Sequence, residues 1–140
     1  MTTTPETRAH VLSLLRETLG DPTIAEVGPG DVFVAFGSAR VGIEVVHDDA
    51  REFALVRIWS PLLADVPKKA GLLDVLNGLT GDLGVGRFFW TDSIVILETT
   101  LLADTLDELK LGAAIELIGQ LADRYDDELA RRFGGRLPAA

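Results

Sequence analysis

Trp59-Ser60-Pro61, Leu76-Asn77-Gly78-Leu79-Thr80, Arg87-Phe88-Phe89-Trp90 and Ile94-Val95-Ile96-Leu97-Glu98 all fall between Trp59 and Leu102, and this stretch decides the fold. Proline cannot donate a ladder hydrogen bond, so Pro61 is expected to end strand pairing at the Trp-Ser step. Beyond it a short helix is predicted from about Pro67 to Leu79, with Leu72, Leu73, Val75, Leu76 and Leu79 on its apolar side. Gly78, Gly81, Gly84 and Gly86 predict a loop after that helix. Two apolar runs follow, a strand over Arg87 to Thr91 and another over Ser93 to Thr100, with Asp92-Ser93 tight enough for a hairpin.

Working upstream, three alternating segments precede Trp59. Asp31 to Gly37 carries Val32, Val34 and Phe36 on one side. Arg40 to His47 carries Val41, Ile43 and Val45 against Gly42, Glu44 and Val46. Glu52 to Trp59 sets Ala54, Val56 and Ile58 against Phe53, Leu55, Arg57 and Trp59. Their connections are short, which predicts an antiparallel meander. The segment Gly28-Pro29-Gly30-Asp31 before them reads as a loop. Before that, Thr4 and Pro5 suit a helix start, Val11, Leu14, Leu15, Thr18 and Leu19 form a helical stripe, and Gly20 stops it.

Downstream of Leu102, Thr105 and Glu108 have the spacing of a capping box, in which each side chain satisfies an otherwise unpaired backbone N–H. Leu106, Leu109, Ala113, Leu117, Leu121, Tyr125, Leu129 and Phe133 read as its apolar stripe. Gly112 and Gly119 on nearly one face suggest close packing against another backbone. Gly134-Gly135 end the helix, and the tail to Ala140 is expected to fray. The order is thus α-β-β-β-α-β-β-α, an α+β domain in which helices pack one side of an antiparallel sheet. Without an internal repeat or linker, residues 1–140 read as a single domain with an ordered core of about residues 5–135.

Composition bounds the function classes. A chain of 140 residues can remove about 68% of its unfolded surface from water, enough for one packed core. Thirteen basic against 22 acidic residues give a net charge of −9, a field that repels phosphate backbones and anionic lipid. No nucleic-acid or membrane partner is therefore expected. The chain has no cysteine, which removes disulfides, thiol nucleophiles and thiolate metal sites. Met1 to Glu6 shows no basic region leading into an apolar core, and no apolar run approaches the ~20 residues that span a bilayer, so a cytoplasmic protein is expected.

Catalytic patterns are missing. Ser13, Ser38, Ser60 and Ser93 lie outside any Gly-x-Ser-x-Gly elbow. The Gly78 to Arg87 loop follows a helix and precedes a strand, the reverse of a phosphate-binding loop, and lacks the Gly-Lys-Ser/Thr ending. Glu116, Asp123, Asp126, Asp127 and Glu128 interleave with Arg124, Arg131 and Arg132, as a solvated helix face does. His10 falls inside the first helix, where a structural role is expected. His47-Asp48-Asp49 is a polar turn, or alternatively the centre of a small-ligand or metal-sensing site. No enzyme activity and no cofactor are expected.

The anomaly is apolar. A sheet covered on one side should read polar on the other. Here the second set of the third strand is Phe53, Leu55, Arg57 and Trp59, and Ile94 and Ile96 share a side with Glu98. Phe88, Phe89 and Trp90 make both sides of their strand apolar. The second side must be buried by a protomer, a client peptide or one of the chain's own helices. If it binds a partner, Phe53, Leu55, Trp59, Phe88, Trp90, Ile94 and Ile96 are the candidate contact residues.

The run Val45 to Leu63, the helix with Leu76-Asn77-Gly78-Leu79, Gly86 to Trp90, Ile94 to Glu98 and Thr105-Leu106-Asp107-Glu108-Leu109 resemble the YbjN-type family. That family is similar in fold to type III secretion chaperones of the CesT kind and includes actinobacterial peptide-binding-chaperone-like domains. The resemblance covers about Pro5 to Gly135. It implies a commonly homodimeric domain that binds extended protein segments or acts as a regulator, and it offers no catalytic residues to carry over. Asn77 matches a recurrent asparagine of the family, expected here to fix the helix end in a left-handed conformation.

Overall fold

The structure is a computed structural model that describes residues 4–19, 24–28, 31–48, 50 and 53–138. The order is α1 (Thr4–Leu19), β1 (Ile24–Gly28), β2 (Asp31–Phe36), β3 (Ala39–Asp48), β4 (Phe53–Leu63), α2 (Ala70–Asp82), β5 (Arg87–Thr91), β6 (Ile94–Leu102), a 3₁₀ turn (Ala103–Thr105) and α3 (Glu108–Phe133). The expected α+β architecture is present, with one strand more than the sequence suggested. Ile24–Gly28, ahead of the Gly-Pro-Gly turn, pairs antiparallel with β2 through Ile24↔Val34 and Ala25↔Phe33. Five residues ending in glycine carry too short an alternation to announce a strand; pairing with β2 makes them one.

All neighbouring strands are antiparallel, in the spatial order β1-β2-β3-β4-β6-β5. Gly37 (φ 60°) and Ser38 turn β2 into β3, while Asp92 (φ 48°) and Ser93 (φ 66°) turn β5 into β6. Both links leave two residues between paired ends, the length that suits strand twist. Pro61 does not end pairing as expected. It stays in β4 opposite Ile96, and a bulge follows it before Leu63. The pairing of β3 with β4 has already stopped at Gly42↔Trp59, so no partner on that side needs the missing N–H.

One side of the sheet carries the core. Val32, Val34, Val41, Ile43, Val45, Val56, Ile58 and Leu97 are buried there against Leu15 of α1 and Leu111, Ile115, Ile118 and Leu129 of α3. The α3 stripe is rotated from the expected one. Leu109 is 81% exposed and Ala113 is exposed, while Leu111, Ala114, Ile115, Ile118, Gly119 and Ala122 are buried. The helix has apolar residues on two adjoining arcs, and contact with the sheet selects between them. The start shifts too. Asp107, not Thr105, caps α3, its Oδ1 accepting from Lys110 N at 2.8 Å, and Thr105 lies in the 3₁₀ turn.

Three further expectations are corrected. The helix α2 runs three residues later than predicted, and Asn77 lies exposed within it, not at a left-handed end; Gly78 and Gly81 are helical as well. Gly119 meets a ring in place of a backbone, since a Cβ there would lie 2.4 Å from Phe36 Cγ, and Gly112 meets the Thr18 methyl of α1. The chain beyond Gly135 is pinned: Ala64 and Arg136 exchange both backbone hydrogen bonds, at 2.8 and 2.9 Å, and Arg136 Nε reaches Asp65 Oδ2 at 2.6 Å. Residues 139–140 lie outside the described part.

Asp126 is also no part of a solvated face. It is 2% exposed, and its Oδ2 lies 2.8 Å from Ser38 Oγ, which is 2.7 Å from Asp123 Oδ1. Burial pushes the Asp126 carboxyl up, only partly offset by the Ser38 hydroxyl, while the Ser38 hydrogen bonds hold Asp123 below the usual carboxylate range. This cluster ties the β2–β3 turn to α3. Among the described residues no helix is long and apolar enough to cross a membrane.

Candidate peptide-binding face

The opposite side of the sheet is built from the alternate residues of the same strands. Along β4, Ala54, Val56, Ile58 and Ser60 are buried under the helices, whereas Phe53, Leu55, Arg57 and Trp59 are only half-buried. Register turns this alternation into rows across the sheet. Val46, Leu55 and Leu102 form an apolar row, with Val46 37% and Leu102 49% exposed. Glu44, Arg57 and Thr100 form the next, then Gly42, Trp59, Glu98 and Arg87, then Pro61, Ile96 and Phe89. From Leu55 to Pro61 the rows span about 20 Å at ~3.3 Å per residue. The face therefore reads apolar, ionic, aromatic-ionic and apolar along one strand direction.

Trp59 sits at its centre because Gly42 makes room for it. A Cβ at Gly42 would fall 2.6 Å from Trp59 Nε1. The indole meets the Phe33 ring edge-on, with centroids 5.4 Å apart, and Arg57 stacks 4.9 Å from its centroid. Arg40 lies 4.5 Å from the centre of Phe33, and Arg87 lies 4.6 Å from that of Phe89. Three guanidinium–aromatic pairs thus line the face, each holding a planar surface rigid at its rim.

Beside Trp59, Glu98 is only 6% exposed. Arg57 Nε pairs with its Oε2, and Arg87 donates to its Oε1 from Nε at 2.8 Å and from Nη2 at 2.5 Å. Arg57 Nη1 also reaches Glu44 Oε2 at 3.4 Å. Burial raises the Glu98 pKa, but the hydrogen bonds and charges of the two arginines outweigh it and hold the carboxyl below its usual range. The carboxylate is thus ionised and bridges β4 to β5 through β6.

Of the seven candidate contact residues, Phe53, Leu55, Trp59, Ile94 and Ile96 share this side of the sheet, with Phe53 and Ile94 at opposite ends and Ile96 buried. Phe88 and Trp90 do not, and their expected placement is corrected. Phe88 is buried under α3, edge-on to Tyr125 with centroids 5.6 Å apart. Trp90 packs on the core, its Nε1 donating to Val66 O at 2.8 Å. Pairing of β5 with β6 sets the parity: Phe88 stands opposite Leu97 and Trp90 opposite Val95, both core residues. That leaves Phe89, which the candidate set omitted, on the open side. Phe33, Arg57, Arg87 and Glu98 were also omitted, though Glu98 in an otherwise apolar strand was a readable signal.

One sheet edge is blocked. Phe88 N donates to Thr80 Oγ1 at 2.8 Å, and the same hydroxyl donates to Phe88 O at 3.2 Å, so α2 takes up backbone groups of β5 that an added strand would need. At the His47 turn, Asp48 Oδ1 accepts from Ala50 N at 3.1 Å, and Asp49 lies outside the described residues. Among the described residues no group of three His, Asp or Glu is placed to hold a metal ion.

Residues 5–140 match the family described as T3SS (YopN, CesT) and YbjN peptide-binding chaperone 1, TY-Chap1. The chain belongs to the TY-Chap1 family. Its fold is similar to that of a chain in the crystal structure titled as the ExsC–ExsE complex, with a TM-score of 0.61 and 18% identity. The similarity covers 91% of this chain and 96% of the other. No curated protein matches the chain at a significant level. Membership of TY-Chap1 makes the chain one of a family of peptide-binding chaperones.

Proposed function

We propose that this TY-Chap1 domain holds an extended segment of a protein client on the open face of its sheet, as a non-enzymatic, chaperone-like or regulatory protein. The observation that carries the reading is the half-exposed band of Phe53, Leu55, Trp59, Phe89 and Ile94 on a sheet whose other side already supplies a complete core. Val46 and Leu102 beside Leu55 are exposed as well, and an apolar row left open to solvent on a sheet marks an interaction site. Thr80 disfavours strand addition at β5, and the alternating rows suit a client laid across the face, with apolar residues over the Leu55 and Pro61 rows and polar ones over Arg57 and Glu98. The protein works in the cytoplasm, as a homodimer.

Selection of peptides from an arrayed library of random 12-residue sequences tests the reading. Wild type should select sequences with apolar residues at both ends and polar residues between them, and Leu55→Glu and Leu102→Glu should lose them while melting within a few degrees of wild type. Selection of no peptides, or peptides held equally by both variants, overturns the proposal. Light scattering on the purified protein should give twice the chain mass.

A further inference from the structure

A cavity of about 130 Å³ lies on the other side of the sheet, between α1 and strands β2 and β3. Val11, Leu12, Leu15, Val32, Ile43 and Val45 line it, and its one charged wall is Arg8. A dry apolar cavity of about 150 Å³ accepts a benzene-sized guest, so this one holds an apolar group of about four to six carbons. Arg8 Nε is sealed from solvent and has no hydrogen-bond partner. Every other buried side-chain nitrogen or oxygen among the described residues is paired, apart from Ser60 Oγ. A buried guanidinium donor left unmade is costly, and of the acceptors that relieve it an anion does so most strongly. Arg8 as a whole is only partly buried and Ala9 beside it is exposed, so this wall reaches the protein surface, where a small molecule meets the guanidinium group.

Apolar depth and one unpaired cationic donor at the rim together specify an amphipathic anion. We infer that the cavity beneath α1 binds a free monocarboxylate with a short apolar tail, its carboxylate on Arg8 and its tail against Val32, Ile43 and Val45. The site is independent of the client face: its residues lie on the opposite side of the sheet from Leu55 and Trp59.

Titration of the full chain with hexanoate, followed by methyl NMR, tests the assignment. Saturable shifts are expected at Val11, Leu15, Val32, Ile43 and Val45, with none at Leu55 or Ile94. The neutral isostere 1-hexanol should bind more weakly, and Arg8→Met should weaken hexanoate by about 10- to 100-fold while leaving hexanol unchanged. Leu12→Phe, which fills the cavity from a half-buried position, should weaken both. Shifts confined to the open face, equal affinity for acid and alcohol, or no saturation overturn the inference. Tighter binding of an acetylated dipeptide ending in leucine reassigns the site to a peptide C-terminus and overturns the free-acid reading.

Discussion

Strand β4 shows two solvents on its two sides. Ala54, Val56 and Ile58 face the helices, small or β-branched residues buried in one core with Ile115 and Ile118. Phe53, Leu55, Arg57 and Trp59 face outward, with large planar or charged side chains held by stacking and ion pairs and still open to a partner. Apolar content alone does not separate the two sides. What separates them is how the polar atoms are treated: the covered side carries scattered ones, with Ser60 Oγ unpaired, while the open side gathers Arg57, Arg87 and Glu98 into one ionic cluster.

That difference predicts a steep asymmetry. Ile58→Ala, on the covered side, should cost about 3 kcal/mol in urea-unfolding free energy, since the lost methyls leave a cavity that the helices cannot fill. A cost below about 1 kcal/mol would mean that the helix layer is loosely packed.

Within the open side, Glu98→Gln should cost about 2 kcal/mol, because it leaves Arg57 and Arg87 converging on a neutral amide. The pH dependence follows from the depressed native pKa. Its stabilisation is present above the unfolded value and is lost as pH falls through the native one, so below about pH 4.5 wild type should lose stability more steeply than the variant. Equal acid sensitivity of the two proteins would remove the ionic cluster from the account.

The covered side holds a reverse case. Asp126 has a raised native pKa, so its protonated form supports folding below the unfolded value, and that support is lost as pH rises through the native one. Asp126→Asn, which can still hydrogen-bond Ser38, should therefore stabilise the protein at pH 7 by up to about 1 kcal/mol, with the gain vanishing below about pH 4 in thermal melts. A loss at pH 7 would show that the ionised acid is held by Ser38 more strongly than burial opposes it. Smallest of all, Leu102→Glu should change unfolding free energy by no more than about 0.5 kcal/mol, because the side chain already meets water. The comparison breaks if this variant unfolds, for the face would then be core.

Much of the fold was legible. The alternation in β3 and β4 named both sets of residues, and the two-residue links named the hairpins. Gly134-Gly135 marked the end of α3, where Gly134 has φ 80°. Five of the seven candidate residues lie on the open side of the sheet. Phe88 and Trp90 were misplaced because Arg87-Phe88-Phe89-Trp90 is bulky at both parities, and a strand apolar on both sides gives no local sign of which side is covered. The α3 stripe was misphased for the same reason: two arcs of that helix are apolar.

By itself, the sequence determined the order of the helices and of all strands but β1, their α+β class, and that both sides of the sheet carry apolar residues. These are consequences of local periodicity and turn chemistry, which act within a few residues. Only the tertiary structure decided that Ile24–Gly28 is a strand, that Pro61 sits inside β4, that Phe89 and not Phe88 looks outward, and that Arg57, Arg87 and Glu98 converge. Each of these depends on register between segments distant in the chain, and register is set by all the pairings of the sheet together.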